Sequence, residues 1–271
     1  HLPAPRVAAV TEMFNEHSIS RNVIFAGQEL GPWLLACTKD YMYVFVEELS
    51  ELGFLERLLL HGLFVLPMEG YPVASCPWPR TPYVLDLPGV SSQRWGQSKK
   101  LRRFRGAFRL SVNRDFRGHL RLCRDYHKAR GGTWITSGLI ESLWRLHMDA
   151  QSPVNAWCFE LWDRESGNLA AASFGLSMGA FFHDVSMCTL VRDSRSCGAV
   201  LSKCVGELLA RCGMRLWYWG CKCAYMAEYD GFGGKEVPRA EYYAALRAAE
   251  AEQPRWRPDA AEAMQLALVE P

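Results

Sequence analysis

No run of about eighteen uninterrupted apolar residues occurs in the chain, so no segment is a candidate for a membrane-spanning helix. The nearest, Leu58 to Pro67, is too short and contains His61. None of the ten cysteines forms a Cys-x-x-Cys pair. Cys221 and Cys223 stand one residue apart but lack a second pair to complete a zinc site. The expectation is therefore no metal ion, and reduced, mostly buried cysteines in a reducing compartment, cytoplasm or organelle matrix. No internal repeat is visible. No secretory pattern opens the chain at His1, and no targeting segment is visible.

Net charge is nearly absent as well, at +2, but it is unevenly placed. From Arg94 to Arg130 there are thirteen Lys and Arg against two acids, Asp115 and Asp125, a balance of +11 that leaves 2 − 11 = −9 elsewhere. Lys99, Lys100, Arg102, Arg103 and Arg105 are the densest part. A local basic surface on a nearly neutral protein suits a polyanion such as RNA. A solvated helix facing a protein partner has the same signature, and both readings stay open. The 271 residues, 49% apolar, suffice for one large domain or two small ones.

Residues 1–30 show little periodicity and read as an arm, and the tail from Pro254 reads as peripheral. Tyr41 to Val46 is aromatic and β-branched, a strand signal. Phe54, Leu55, Leu58 and Leu59 follow helical spacing, with Gly62 placed to end the helix. Five prolines between Tyr71 and Pro88 argue against a helix or a central strand there, and make the stretch a link between domains. Leu139, Ile140, Leu143 and Leu146 predict a helix starting near Ser137. Strands are expected at Trp157 to Leu161, Leu169 to Leu176, Phe181 to Met187 and Arg215 to Trp219. A helix over Val200–Leu209 closes at Gly213, and another begins at Pro238. These four strands should share one sheet with the Val200–Leu209 helix packed on it. The order predicts a mixed α/β (α+β) fold.

Two segments carry more. One is Gly131-Gly132-Thr133-Trp134-Ile135-Thr136-Ser137-Gly138-Leu139-Ile140-Glu141, followed by Leu146-His147; the other is Glu236-Val237-Pro238-Arg239-Ala240-Glu241-Tyr242. Together they resemble the leucyl/phenylalanyl-tRNA–protein transferases, and the likeness runs roughly from Leu49 to Leu246. It implies transfer of an amino acid from a charged tRNA to a protein N-terminus, without a cofactor. It also implies an acetyltransferase-like (GNAT) domain, residues 89–271, behind a small N-terminal α/β domain, residues 1–88. The resemblance places Lys99, Lys100, Arg102, Arg103 and Arg105 on RNA phosphates and Trp134 on the acceptor end. It places Phe182, Met187 and Trp217 around the amino-acid side chain. Read by themselves, Phe182 and Met187 are strand residues facing a core, Trp134 is equally a core tryptophan, and His147 and His183 are structural histidines. Arg195-Ser196-Cys197-Gly198 has some likeness to a pyrophosphate loop but reads better as an ordinary helix start.

Where the family has Gly-Glu-Ser-Met, this chain has Val185 in place of the acid, with Asp184 one position early. Where the family has Leu-Ile-Asp-Cys-Gln, Tyr218 takes the Asp position and Gly220 the Gln, in a register that admits a shift of one residue. No acidic residue stands between Arg215 and Ala227. Tyrosine, with an ordinary pKa near 10, is a poor base at neutral pH. Strand alternation would turn Asp184 away from the side of position 185. Transfer of Leu or Phe to an N-terminal Arg or Lys is thus expected to be absent or greatly weakened. The alternative is a degenerate relative kept as an accessory subunit of a larger assembly.

Overall fold

The computed structural model describes residues 23–24, 44–46, 52–67, 74–76, 82–89, 94–95, 97–252 and 254. The arm expected over residues 1–30, the strand start at Tyr41 and the tail beyond Pro254 fall largely or wholly outside them. The chain divides into two compact units, residues 1–80 with 133–154, and residues 81–132 with 155–271.

The first unit holds β1 (Val23–Ile24), β2 (Val44–Val46), α1 (Leu52–Leu60), β3 (Phe64–Leu66) and β4 (Ala74–Cys76), in a sheet ordered β1-β2-β4-β3. Helix α1 buries Phe54, Leu55, Leu58 and Leu59. It ends where Gly62 adopts a φ of 71°, a left-handed value that glycine takes without strain. The Gly62 and Leu63 N–H groups then donate to the carbonyls of Leu59 and Leu58.

The second unit contains β5 (Pro82–Asp86), α2 (Lys99–Phe104), β6 (Phe108–Val112) and α3 (Phe116–Lys128). Helix α4 (Ser137–Met148) follows in sequence but groups with the first unit, where it packs on α1. Its N-cap is Thr136, whose hydroxyl accepts from the Leu139 N–H at 3.2 Å. The second unit resumes with β7 (Val154–Asp163), β8 (Leu169–Met178), β9 (Phe181–Thr189), α5 (Cys197–Arg211), β10 (Leu216–Cys221), β11 (Gly234–Glu236) and α6 (Arg239–Glu250). Its seven-stranded sheet runs β11-β5-β10-β9-β8-β7-β6. The four strands expected from Trp157 to Trp219 are neighbours in it, and α5 packs on β8 and β9.

One expectation is overturned. The proline-rich stretch contains β5, which lies inside the sheet between β11 and β10. Its prolines do not interrupt the ladder, because Pro82 is the first residue of the strand and Pro88 follows its end. Tyr83, Val84 and Leu85 are at most 1% exposed, so this segment is core.

Helix α5 is buried on almost every side, including Lys203 and Glu207. Those charges are paired: Lys203 Nζ meets Glu228 at 3.0 Å, and Glu207 meets Arg211. At its start Arg195 pairs with Asp163 and Asp193, and a Cβ on Gly198 would lie 2.7 Å from Thr189 Oγ1. Gly198 therefore serves close helix–strand packing.

Candidate active site at the parting of two strands

Strands β9 and β10 run parallel and pair only at Phe181–Leu216, Phe182–Trp217 and His183–Tyr218. Beyond that point β9 continues to Thr189 and β10 to Cys221 with no further pairing between them. Two irregularities widen the parting. The β10–β5 register slips between Tyr218 and Cys221, where Gly220 has a φ of 78°. The β8–β9 register slips too: Phe174 pairs with Ser186 and Gly175 with Asp184, so Val185 has no partner and bulges. Asp184, Val185, Ser186 and Met187 are half-buried, although β9 is an interior strand with Phe181 to His183 buried before them.

The bulge rephases the strand. Regular alternation would set 182, 184, 186 and 188 on one face. Instead Phe182 and Met187 both join the apolar cluster around α5. Ser186 turns to α3, with its Oγ 3.6 Å from Cys123 Sγ and 3.3 Å from His127 Nε2. Asp184 lies on the α5 face, because Ser173, the register partner of Met187, donates its hydroxyl to Asp184 Oδ1 at 3.4 Å.

Aromatic rings line the same face. Phe182 and Trp217 are 6.4 Å apart at 77°, Trp217 and Trp219 4.8 Å apart at 72°, and Trp219 lies 4.6 Å from Tyr229. Offset and edge-on contacts of this kind hold rings in defined places. Phe182 owes its place to Gly175, where a Cβ would collide with the ring and lie 2.8 Å from the His183 carbonyl oxygen. Gly175→Ala is therefore expected to cost about 1–3 kcal/mol, seen as a lowered melting temperature, and an unchanged melt would remove this account of the ring's position.

Tyr218 faces the other way. Its ring sits 4.9 Å from His183, 4.9 Å from Tyr242 and 6.3 Å from Phe181, and is 3% exposed. The structure thus brings together Phe182, Met187 and Trp217, and sets Tyr218 on the opposite face of the sheet. Trp219 belongs with the first three and was not among the expected residues; its alternation with Trp217 was the available signal.

The electrostatics follow burial. The Asp184 carboxyl is pushed up to about 7 by desolvation, opposed by Ser173 and Trp217. The indole N–H of Trp217 meets no acceptor in good hydrogen-bond geometry, yet lies close enough to favour the carboxylate. His183 is pushed down to about 3 by burial, which keeps it neutral and makes it a weak base at neutral pH. His127 is also lowered by burial, and its Nε2 donates to the Met187 carbonyl at 3.1 Å.

The sequence model described as leucyl/phenylalanyl-tRNA protein transferase matches residues 90–247, which include every element from α2 to β11 and most of α6. The chain belongs to this family. It is 35% identical over 163 residues to the leucyl/phenylalanyl-tRNA–protein transferase of Anaeromyxobacter dehalogenans (strain 2CP-C), covering 58% of this chain and 64% of that one. It is 29% identical over 197 residues to the one of Stutzerimonas stutzeri (strain A1501), covering 70% and 79%. The chain thus spans less than two thirds of the first of these relatives. Among solved structures it is similar to L-PGS from Bacillus licheniformis, at 12% identity and a TM-score of 0.39, covering 85% of this chain and 74% of that one. It is also similar to a tandem GNAT protein from the clavulanic acid biosynthesis pathway, at 12% identity and a TM-score of 0.38, covering 73% and 62%. The seven-stranded sheet combines a parallel pairing, β9 with β10, with antiparallel ones, which makes the second unit mixed α/β.

The remaining residues expected at the site are placed as follows. Lys99, Arg102 and Arg103 are exposed on α2, and Arg103 lies over the Phe104 ring at 5.0 Å. The side chains of Lys100 and Arg105 lie outside the described residues. The same basic stretch folds into β6, where Arg109 alternates with buried Phe108 and Leu110, and into α3, capped by Asp115. Trp134 is half-buried, and with His147, which packs 5.4 Å from Trp144, it belongs to the first unit.

Among the described residues His119, Cys158 and Glu160 bring ligand atoms within 4.8 Å of one another. Glu160 accepts from Ser111 Oγ at 2.5 Å and the Asp115 N–H at 3.1 Å, with His119 Nδ1 at 3.3 Å. Six of the seven free cysteines among the described residues are buried. No helix among the described residues is long and apolar enough to cross a membrane. A cavity of about 240 Å³ lies at the other end of β10, lined by Asp86, Arg215, Leu216, Lys235, Glu241 and Tyr242, away from the parting of the strands.

Proposed function

We propose that this protein transfers an amino acid, leucine or phenylalanine, from aminoacyl-tRNA to the N-terminus of a protein. The family match over residues 90–247 carries the reading. Phe182, Met187 and Trp217 form the apolar wall for the amino-acid side chain, joined by Trp219. Trp134 stacks on the acceptor end of the tRNA, and stacking of this kind is worth about 1–3 kcal/mol per base. Lys99, Arg102 and Arg103 engage phosphates. Asp184, a carboxyl on the face of this wall, supports activity although positions 185 and 218 carry no acid.

The test is transfer of radiolabelled leucine from charged tRNA to a peptide beginning with Arg. Label is expected in the peptide, and its absence under conditions where the protein is folded would sink the reading and favour an accessory role. Binding of tRNA supplies a second expectation. If about five phosphates are neutralised, the log–log slope of affinity against salt is roughly −3 to −5. A flat salt response would make α2 a protein-facing surface instead.

A further inference from the structure

The replaced acids leave the proposed reaction without an evident group to meet the attacking amine. Val185 stands where the family has Glu, and no acid lies between Arg215 and Ala227. The tertiary structure supplies a carboxyl from another position. Asp184 is the first residue of β9 past the last pair with β10, His183–Tyr218, so it stands where the two strands part. Asp184 shares the face of Phe182 and its register partner Trp217 by strand alternation, and the bulge at Val185 brings Met187 onto that face as well. Ser173 donates to Asp184 Oδ1, and the Trp217 indole N–H, on a residue only 1% exposed and without a well-placed acceptor, lies beside it. Among the described residues no Lys or Arg pairs with Asp184. A half-buried carboxyl with neutral donors and no countercation is a receptive place for a cationic ligand.

We propose that Asp184 receives the α-ammonium of the acceptor protein and takes its proton before attack on the aminoacyl ester. This rests on the transferase reading above. The balance is simple. One proton passes from the ammonium to the Asp184 carboxylate and on to solvent. The freed nitrogen lone pair forms the C–N bond to the ester carbonyl carbon, the C–O bond to the ribose breaks, and the second proton ends on the departing ribose oxygen. A carboxyl raised to about 7 lies close to an α-amine, ordinarily near 7.7–8.0, so the first transfer is nearly even. Among the described residues the titratable side chains that feel the charge of Asp184 are the phenols of Tyr225, pushed up to about 12, and Tyr229, pushed higher by burial. Neither ionises near neutrality. Ser173 from β8 and Trp217 from β10 carry no charge, and His183 faces the opposite side.

The test uses the full chain and a labelled peptide beginning with Arg, with a free or an acetylated N-terminus, followed by fluorescence anisotropy. The free amine is expected to bind about tenfold more tightly than the acetylated form, and Asp184→Asn to lose that preference while Asp184→Glu retains part of it. The wild-type preference is expected to fall as pH drops from about 7.5 to 6, because Asp184 takes up a proton while the ammonium stays charged. A thermal melt of Asp184→Asn no lower than wild type excludes a folding defect. No preference in the wild type, or an equal preference in Asp184→Asn, overturns the proposal. The binding readout separates it from the transfer reading. A preference dependent on Asp184 without leucine transfer keeps this site and removes the reaction, whereas transfer unaffected by Asp184→Asn keeps the reaction and removes this site.

Discussion

Leu201→Asp is expected to leave little folded protein, at a cost of about 4 kcal/mol or more. Leu201 is 0% exposed on the helix that covers β8 and β9, among Val200, Cys204, Val205 and Leu208. A carboxylate there has no cation to meet, since the two buried charges of the helix, Lys203 and Glu207, already pair with Glu228 and Arg211. Proton uptake by the new Asp is the one relief available, so its loss of stability should shrink at acidic pH. Leu201→Ala separates the charge from the cavity, with about 2–5 kcal/mol expected for the cavity alone. Urea unfolding followed by circular dichroism checks both. A Leu201→Asp midpoint close to wild type would mean that this helix does not cover the sheet as described.

Tyr218→Asp is the second large effect, and it too is one of stability. The resemblance implies an Asp at the position of Tyr218, which makes the reverse change look like a repair. In the structure the ring is 3% exposed between His183, Tyr242 and Phe181, on the opposite face from Trp217. An aspartate there is a buried charge beside a neutral histidine, and about 4 kcal/mol or more is again expected. Tyr218→Phe keeps the ring and costs about 1 kcal/mol or less, the value of one hydrogen bond. It is expected to leave leucine transfer within about twofold of wild type, because the phenol does not face the aromatic wall. A loss of tenfold or more in Tyr218→Phe, with the melt unchanged, would place Tyr218 in the reaction.

Much of the second unit is legible in its residues. Trp157, Phe159 and Leu161 alternate as a strand must, and Val200 to Leu209 carry a helical stripe on which α5 follows directly. Other elements are hidden by stronger local signals. The prolines around β5 mask a strand whose Tyr83, Val84 and Leu85 are core, since a proline at a strand's first residue removes no needed donor. The thirteen basic residues from Arg94 to Arg130 mask α3, although Phe116, Leu120 and Cys123 already stand at helical spacing and are its buried face.

The family, the mixed α/β class and the loss of the acids at positions 185 and 218 are properties of the sequence by itself, because motif identity and apolar periodicity are carried by neighbouring residues. Which side chains meet is not. One unpaired residue, Val185, shifts the phase of β9 and sends Asp184 and Met187 to the same face, and that slip is set by the pairing with β8. The opening between β9 and β10 arises where their pairing stops after Tyr218, with Gly220 turning the chain at a φ of 78°. A period-two pattern has no place for either event, since both depend on the strand next door, and so only the tertiary structure decided that Met187 joins Phe182 and Asp184 on one face.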